Sequence, residues 1–418
     1  MLPKKYQQTL ELLLIFGLFF LSNASAFLYV AWLTPEIVFM ELVIWLILAA
    51  FSVWILSQHG LISSFYENLT KNWIIFPFLI FSGLSIFWSV YWEVSLYRWL
   101  ILIFTIITSA YIGLRYDIKE IVKLLSVFGV YILFLSSILV FFMPKFGVMY
   151  YYSIQGAWKG IYWHKGHMGL IAAFINILFL INVVYSLQSK EKKSLLFWGL
   201  LYIFSLAFVS QTDSVAAYIT IVFLHGLILL ALILLKFGKY YHRIHYLIFF
   251  IFLIFISLIL YLNIDHVLGI LNRSPTLTGR IPMWAHLFNT YFIERPFGGY
   301  GFNAFWYIDS YRVEMGLAAH YPGPIVIADN GFIDILINTG YVGLILFLIF
   351  YFGAWWRSIK YATKAKDING IFPVVLMAYT LVANISWSLI FESEGFFMLT
   401  MLAVLFCITN RTAINNGG

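Results

Sequence analysis

Charge is scarce in this chain: Asp, Glu, Lys and Arg make up 10% of its 418 residues, where soluble globular chains carry roughly a quarter. Cysteine is scarcer still. Cys407 is the one cysteine, and it lies inside the last apolar run, which excludes disulfides and cysteine-based metal sites. Also missing are a Walker-type glycine loop, an HExxH pair, and two aspartates one residue apart able to hold a metal–nucleotide complex, so nothing suggests use of ATP. No internal repeat or low-complexity segment is visible. The N-terminus shows no cleavable signal, because the first apolar run is too long and flows into a polytopic pattern; it reads as a retained span.

What is present is apolar. Hydrophobic residues make up 63% of the chain, in runs near twenty residues long, the length that crosses a hydrocarbon core about 30 Å thick. Backbone groups have no water partner there, so such runs must be helical. The expected spans are Leu10–Leu33, Ile37–Leu56, Trp73–Tyr91, Ser95–Leu114, Ile121–Phe142, Gly166–Leu187, Leu195–Ser210, Ser214–Leu235, Tyr246–Leu262, Asn330–Phe352, Phe372–Ile390 and Gly395–Cys407. The fold class is therefore all-α: a polytopic bundle of about twelve transmembrane helices, one integral membrane domain over residues 1–418.

The net charge of +7 does not point to nucleic acid, because most Lys and Arg sit in short segments between apolar runs. With both termini cytoplasmic, seventeen of the twenty-five basic residues fall on the cytoplasmic side, as the positive-inside rule requires. Two outward segments are longer than simple connections: residues 143–165 and 263–328. Long structured loops are where binding and catalysis usually sit. The second holds Arg273, Arg280, Arg295 and Arg312 and no lysine, which suggests planar, multidentate recognition of phosphate or carboxylate. Within it, Trp284, Leu287 and Tyr291 share one face of an expected interfacial helix. The glycines of Pro296-Phe-Gly298-Gly299-Tyr300-Gly301 permit a tight backbone, and Tyr300, Phe305 and Trp306 offer flat faces suited to sugar rings or lipid headgroups.

Several ionisable residues carry two readings. Arg98, a few residues inside a span, either snorkels or pairs with Glu93 or Glu392, or else serves function. Lys159, His164, Lys165 and His167 gather at the outer mouth of a helix. There Lys165 and the helix dipole together suit an anion. A metal on the two histidines is the weaker reading, since no third ligand lies beside them, and interfacial anchoring is the commonest role of such residues. Asp329-Asn330-Gly331-Phe-Ile-Asp334 fits an N-cap and a first-turn acid. Asp334, however, should lie a turn inside the membrane, level with Glu392 and Glu394, where carboxylates facing arginines make either an acid/base site or a neutralised network.

These landmarks, taken in order, resemble the O-antigen ligase/polymerase family of membrane glycosyltransferases. Ser85-Ile-Phe-Trp88-Ser89 before Arg98 looks like the family's Trp-Ser segment ahead of an intramembrane arginine. Gly156-Ala-Trp158-Lys159-Gly160 with His164-Lys165-Gly166 looks like its outward loop. Gly279-Arg280 with Trp284, then Pro296 to Gly301, looks like its long-loop signature, and Asp329-Asn330-Gly331 with Gly340 and Gly343 like its helix-opening motif. The resemblance implies a GT-C-type enzyme of the bacterial cytoplasmic membrane that takes an undecaprenyl-diphosphate-linked oligosaccharide donor and a glycan or lipid-linked acceptor. It also implies a chain-length-regulating co-polymerase as partner, and no cofactor or metal.

The helix-opening motif commonly starts His-Asn, and here Asp329 stands in that place with His320 nearby. Asp213 likewise replaces an arginine of the family's Ser-Arg-like turn. Both departures favour a polymerase over a lipid A–core ligase. On this reading Arg280, with Lys165 and Arg98 or Arg273, neutralises the leaving diphosphate, and Asp329, or alternatively His320, is the base. Lys159, Trp284, Tyr300 and Trp306 complete the substrate-binding set. A lipid-linked oligosaccharide flippase, the competing class, would need a cationic cavity spread over many spans and symmetry between the halves, and neither is visible. A non-catalytic scaffold would make the arginines dispensable.

Overall fold

The structure is a computed structural model describing residues 4–23, 35–151, 154–237, 279–321, 323–365, 367–389 and 395–416. In chain order it contains α1 (Lys4–Ser22), α2 (Pro35–Gln58), α3 (Ile62–Lys71), α4 (Phe76–Leu84), α5 (Trp92–Arg115), α6 (Ile118–Phe142), α7 (Lys165–Ser189), α8 (Lys192–Gln211), α9 (Val215–Phe237), α10 (Arg280–His286), α11 (Asp309–Ala318), α12 (Gly331–Ala362), α13 (Phe372–Ser386) and α14 (Phe396–Asn416). Among the described residues, eight helices are long and apolar enough to cross a membrane, or nine if one bent pair counts as a single span. The chain is an all-α polytopic membrane protein. The run expected at Tyr246–Leu262 lies outside the described residues, as does the end of the run beginning at Leu10.

Two expectations change in detail. The span expected at Trp73–Tyr91 is broken: residues 62–71 and 73–88 are helical but bent by 59°. The first outward loop holds a small antiparallel hairpin, β1 (Val148–Tyr151) with β2 (Ile154–Trp158).

Lipid tails are as apolar as leucine, so helix association in a membrane rests on close packing rather than escape from water. Gly113 of α5 lies so near the Ala403 carbonyl and Phe406 of α14 that a methyl group would overlap them, and Gly129 of α6 lies likewise against Ile175 of α7. Two arginines among the described helices meet buried carboxylates. Arg115 of α5 donates to Glu11 of α1 at 2.8 Å, and Arg98 donates to Glu41 of α2 at 3.1 Å. The spans are thus less free of charge than their apolar runs suggest, but these carboxylates each meet an arginine near a helix end.

Residues 279–329 form a compact layer over one end of the bundle. α10 continues into a π-helical turn, Leu287–Phe292. Met283, Leu287, Tyr291, Tyr300, Phe305, Trp306 and Met315 build a second core with Leu336 and Ile337 of α12. The helix expected to present Trp284, Leu287 and Tyr291 together instead turns Met283, Leu287 and Tyr291 into this core, leaving Trp284 half-buried.

A kink in α12 couples this layer to the bundle. Gly340 has φ 66° and ψ −171°, which interrupts the helix ladder. The carbonyls of Ile337 and Asn338 accept from Tyr300 N (3.1 Å) and Gly301 N (2.9 Å), while Tyr341 N donates to Pro296 O (2.8 Å). The ladder bonds lost in the helix are replaced by bonds to the loop, as buried backbone requires. A side chain at Gly340 would both strain the left-handed backbone and overlap the Phe297 carbonyl. Gly340→Ala is expected to cost about 1–3 kcal/mol and to lower the thermal midpoint of the detergent-solubilised protein. Gly226→Ala, which meets open space, should leave the midpoint unchanged; equal midpoints for the two variants would contradict the coupling.

Candidate functional site

The segment joining the loop layer to α12 divides its work among three polar residues. Asn330 is the N-cap of α12, its side chain accepting from Phe332 N at 3.0 Å and Ile333 N at 3.3 Å. One turn on, the buried Asp334 accepts from Trp306 Nε1 at 2.6 Å and Ala328 N at 3.1 Å, and also from Ser388 Oγ. A buried carboxylate is tolerated when such donors surround it. Asp334 therefore pins the loop layer and the end of α13 to α12, with neutral donors where arginines were expected.

With capping and anchoring done by its neighbours, Asp329 is left for another partner. Its backbone is left-handed at φ 53°, which turns the carboxylate towards α10, where Arg280 Nε donates to Oδ2 at 3.0 Å. The two side chains are 26% and 28% exposed, so the pair is open to a ligand. Gly279, at φ 88°, lets α10 start against the Ala319 carbonyl. Trp284 Nε1 holds Ala328 O at 2.7 Å, so α10 grips both residues of the 328–329 turn. Burial raises the Asp329 carboxyl above its ordinary value, while the Arg280 charge and hydrogen bond oppose that rise.

The charge of Arg280 also reaches His164. This histidine is the N-cap of α7, and its Nδ1 accepts from Gly166 N at 3.0 Å. The proton of the neutral ring therefore sits on Nε2, as a donor. The ring stacks on Trp387 at 5.5 Å and 22°, and Trp163 packs on the same indole at 5.5 Å. Burial first, then the charges of Lys165, Arg280 and Lys159, push the imidazole down to about 4. Three cations, two from the first outward segment and one from the second, thus act on one neutral histidine. Lys165 Nζ is held by Asp213, at 2.5 Å to Oδ2 and 2.7 Å to its backbone oxygen. Asp213 itself is 63% exposed, so the pair joins a buried lysine to the surface. Gly169 makes this approach of α7 to the 212–214 turn possible, because a Cβ there would press on Ser214 and Thr212.

The remaining expected residues are placed as follows. Arg98 meets Glu41, rather than Glu93, and donates to the Tyr307 hydroxyl at 2.7 Å, tying α5 to the loop layer. His320 is exposed in a left-handed turn after α11, next to Ala319. Tyr300, Phe305 and Trp306 are buried in the second core, so their faces are occupied by neighbours rather than open to a sugar. Arg295 donates to Trp88 O at 3.1 Å and covers the Tyr300 ring at 4.9 Å. Arg312 pairs with Asp309. Arg273, Glu392 and Glu394 lie outside the described residues. His164, expected as an interfacial anchor or a weak metal ligand, instead caps α7 under three positive charges, and its position directly before Lys165 is the signal for this in the sequence.

The architecture is that of a helical membrane protein with a cationic, histidine-bearing site where a folded loop meets the helix ends. Residues 199–348 match the family model described as O-antigen ligase. This supports the motif resemblance: over that stretch the chain is similar to the O-antigen ligase family. The matched stretch includes Asp213, Arg280, Asp329 and Asp334, whereas Arg98, Lys159, His164 and Lys165 come from the preceding part of the chain. No curated protein matches the chain.

The depressed His164 pKa has a consequence for stability. Between its ordinary value near 6.5 and about 4, the unfolded chain binds a proton that the folded chain does not. Stability therefore falls as pH drops through that window and levels off below it. His164→Asn keeps an N-cap acceptor and should show a smaller loss of thermal midpoint between pH 7 and pH 4.5 than the wild type. An identical loss in the two proteins would contradict the assignment.

Proposed function

We propose that this protein is a membrane glycosyltransferase that extends a polysaccharide from repeat units carried on undecaprenyl diphosphate, on the outer face of the cytoplasmic membrane. The observation that carries the reading is the partly exposed Arg280–Asp329 pair, whose arginine acts together with Lys165 and Lys159 on the neutral His164. Arg280 takes the donor diphosphate in a fork of charge-assisted hydrogen bonds, supported by Lys165 and Lys159. His164, neutral and with its Nε2 proton free to donate, adds a hydrogen bond without adding charge. These groups stabilise the negative charge that develops on the leaving diphosphate.

The same event prepares the base. While Arg280 is paired with Asp329, it holds the carboxylate ionised and occupied. A diphosphate that draws the guanidinium away leaves a carboxylate whose burial favours protonation. Asp329 then removes the proton from the acceptor hydroxyl, whose oxygen attacks the anomeric carbon as the bond to the diphosphate oxygen breaks. The diphosphate leaves with the bonding pair, and direct displacement inverts the anomeric centre. Bond energy in the donor drives the step, and no metal is needed for the charge. His320 is the alternative base.

Arg280→Ala is expected to lower polymer formation in cells at least about 100-fold, the usual scale for removing a transition-state donor, with lipid-linked single units accumulating at normal protein levels. Normal polymer length would remove Arg280 from the mechanism. Asp329→Asn should give the same phenotype, and full activity there would move the base to His320. The family description favours a second reading, transfer of a finished glycan to a different acceptor. It predicts that the variants leave lipid-linked polymer intact and abolish only its attachment.

A further inference from the structure

The surface away from the Arg280 cluster carries a groove of about 680 Å³ between the broken span, the kinked part of α12 and residues 295–299. Its walls are Phe81, Trp88, Phe297 and Val342, its floor is the Gly298-Gly299 backbone, and the charged group on its lining is Arg295. The groove is built rather than incidental. Trp88 Nε1 donates to Gly298 O at 2.9 Å, and Arg295 donates back to Trp88 O at 3.1 Å. A Cβ at Gly298 would strike the Trp88 indole, and one at Gly299 would strike the Asn338 backbone. The two glycines and the Gly340 kink together open this space.

Its character is that of a lipid seat with a phosphate ligand. Its wall residue Phe297 is 71% exposed, and Phe87, next to Trp88 in sequence, is 87% exposed, so the apolar surface is open to the outside. Arg295 is exposed and bonds to a carbonyl and an aromatic ring, with no carboxylate partner among the described residues. The guanidinium is thus left to an anion from outside, on the edge of an exposed apolar strip. Arg280 opens α10 and Arg295 follows the end of its π-helical continuation, so a helical rise puts the two roughly 20 Å apart. One diphosphate cannot serve both.

We infer that this groove seats the polyprenyl diphosphate carrier of the second glycan, while the Arg280 cluster takes the diphosphate that leaves. The inference rests on the proposed polymerisation, in which donor and acceptor each hang from a lipid. Arg295 holds the phosphate of the resident carrier, the isoprenoid chain lies against Phe81, Trp88, Phe297 and Val342, and its glycan reaches across the loop layer to Asp329.

Native mass spectrometry of the purified protein with undecaprenyl diphosphate tests this directly, because it counts bound lipids without requiring turnover. Wild type should hold two. Arg295→Ala, and independently Val342→Trp, which fills the groove and leaves the Arg295 bonds in place, should each hold one, with binding at the lost site weakened about tenfold or more. Arg280→Ala should also hold one, and Arg280→Ala with Val342→Trp none. A single lipid on wild type, or a second lipid unaffected by both groove variants, would overturn the inference. So would displacement of the groove lipid by an equal concentration of phosphatidylglycerol, which would make it a general phospholipid site. If the groove variants each lose a lipid but Arg280→Ala loses none, the groove stands and the proposed reaction site falls. Unchanged elution and thermal midpoint of Val342→Trp keep the test independent of any folding defect in Arg295→Ala.

Discussion

Everything at the loop end depends on one buried carboxylate. Asp334 stands a turn inside α12 and gathers Trp306 of the loop layer, the Ala328 amide and the Ser388 hydroxyl around itself. A carboxylate at such a place is costly unless donors surround it, and the donors must come from elements otherwise unconnected. Satisfying Asp334 therefore folds the loop onto the bundle. It also fixes the 328–329 turn, and that turn is what carries the Asp329 carboxylate to Arg280. The Arg280–Asp329 pair is a product of the anchor beside it.

The chain separates support from chemistry over a few residues. Asn330 caps, Asp334 anchors, and Asp329, in a left-handed backbone, is available for a ligand-sensitive ion pair. The same separation holds among the loop arginines that are described. Arg312 is spent on Asp309, and Arg280 sits where its charge acts on His164. Arg295 binds neutral groups and keeps its charge. Residue type alone does not distinguish these three roles; the partners do.

The bundle was legible because hydrocarbon permits so few backbone solutions: run length alone located most helices, and basic residues ordered the connections. Arg280 and Asp329 were legible from their motifs, though not their mutual contact, since forty-nine residues separate them. Three features were not. The burial of Tyr300 and Trp306 follows from the second core, and aromatic residues read the same in a core as on a sugar platform. Glu41, the partner of Arg98, lies within an apolar run where a single carboxylate barely alters the pattern. The bend at residue 72 falls five residues before Pro77, which opens α4, and an apolar run reads the same whether straight or bent. Each depends on tertiary partners distant in sequence.

The proposed reaction places glycosyl transfer from a lipid diphosphate at the Arg280–Asp329 pair. The most direct test gives the purified protein a single defined lipid-linked repeat unit, with no other protein present, and follows the products by mass spectrometry. The expected products are lipid-linked chains of increasing length, with one undecaprenyl diphosphate released per linkage, and neither is expected from the Asp329→Asn protein. Chain growth by that variant at the wild-type rate, or growth without release of the diphosphate, would contradict the proposed reaction.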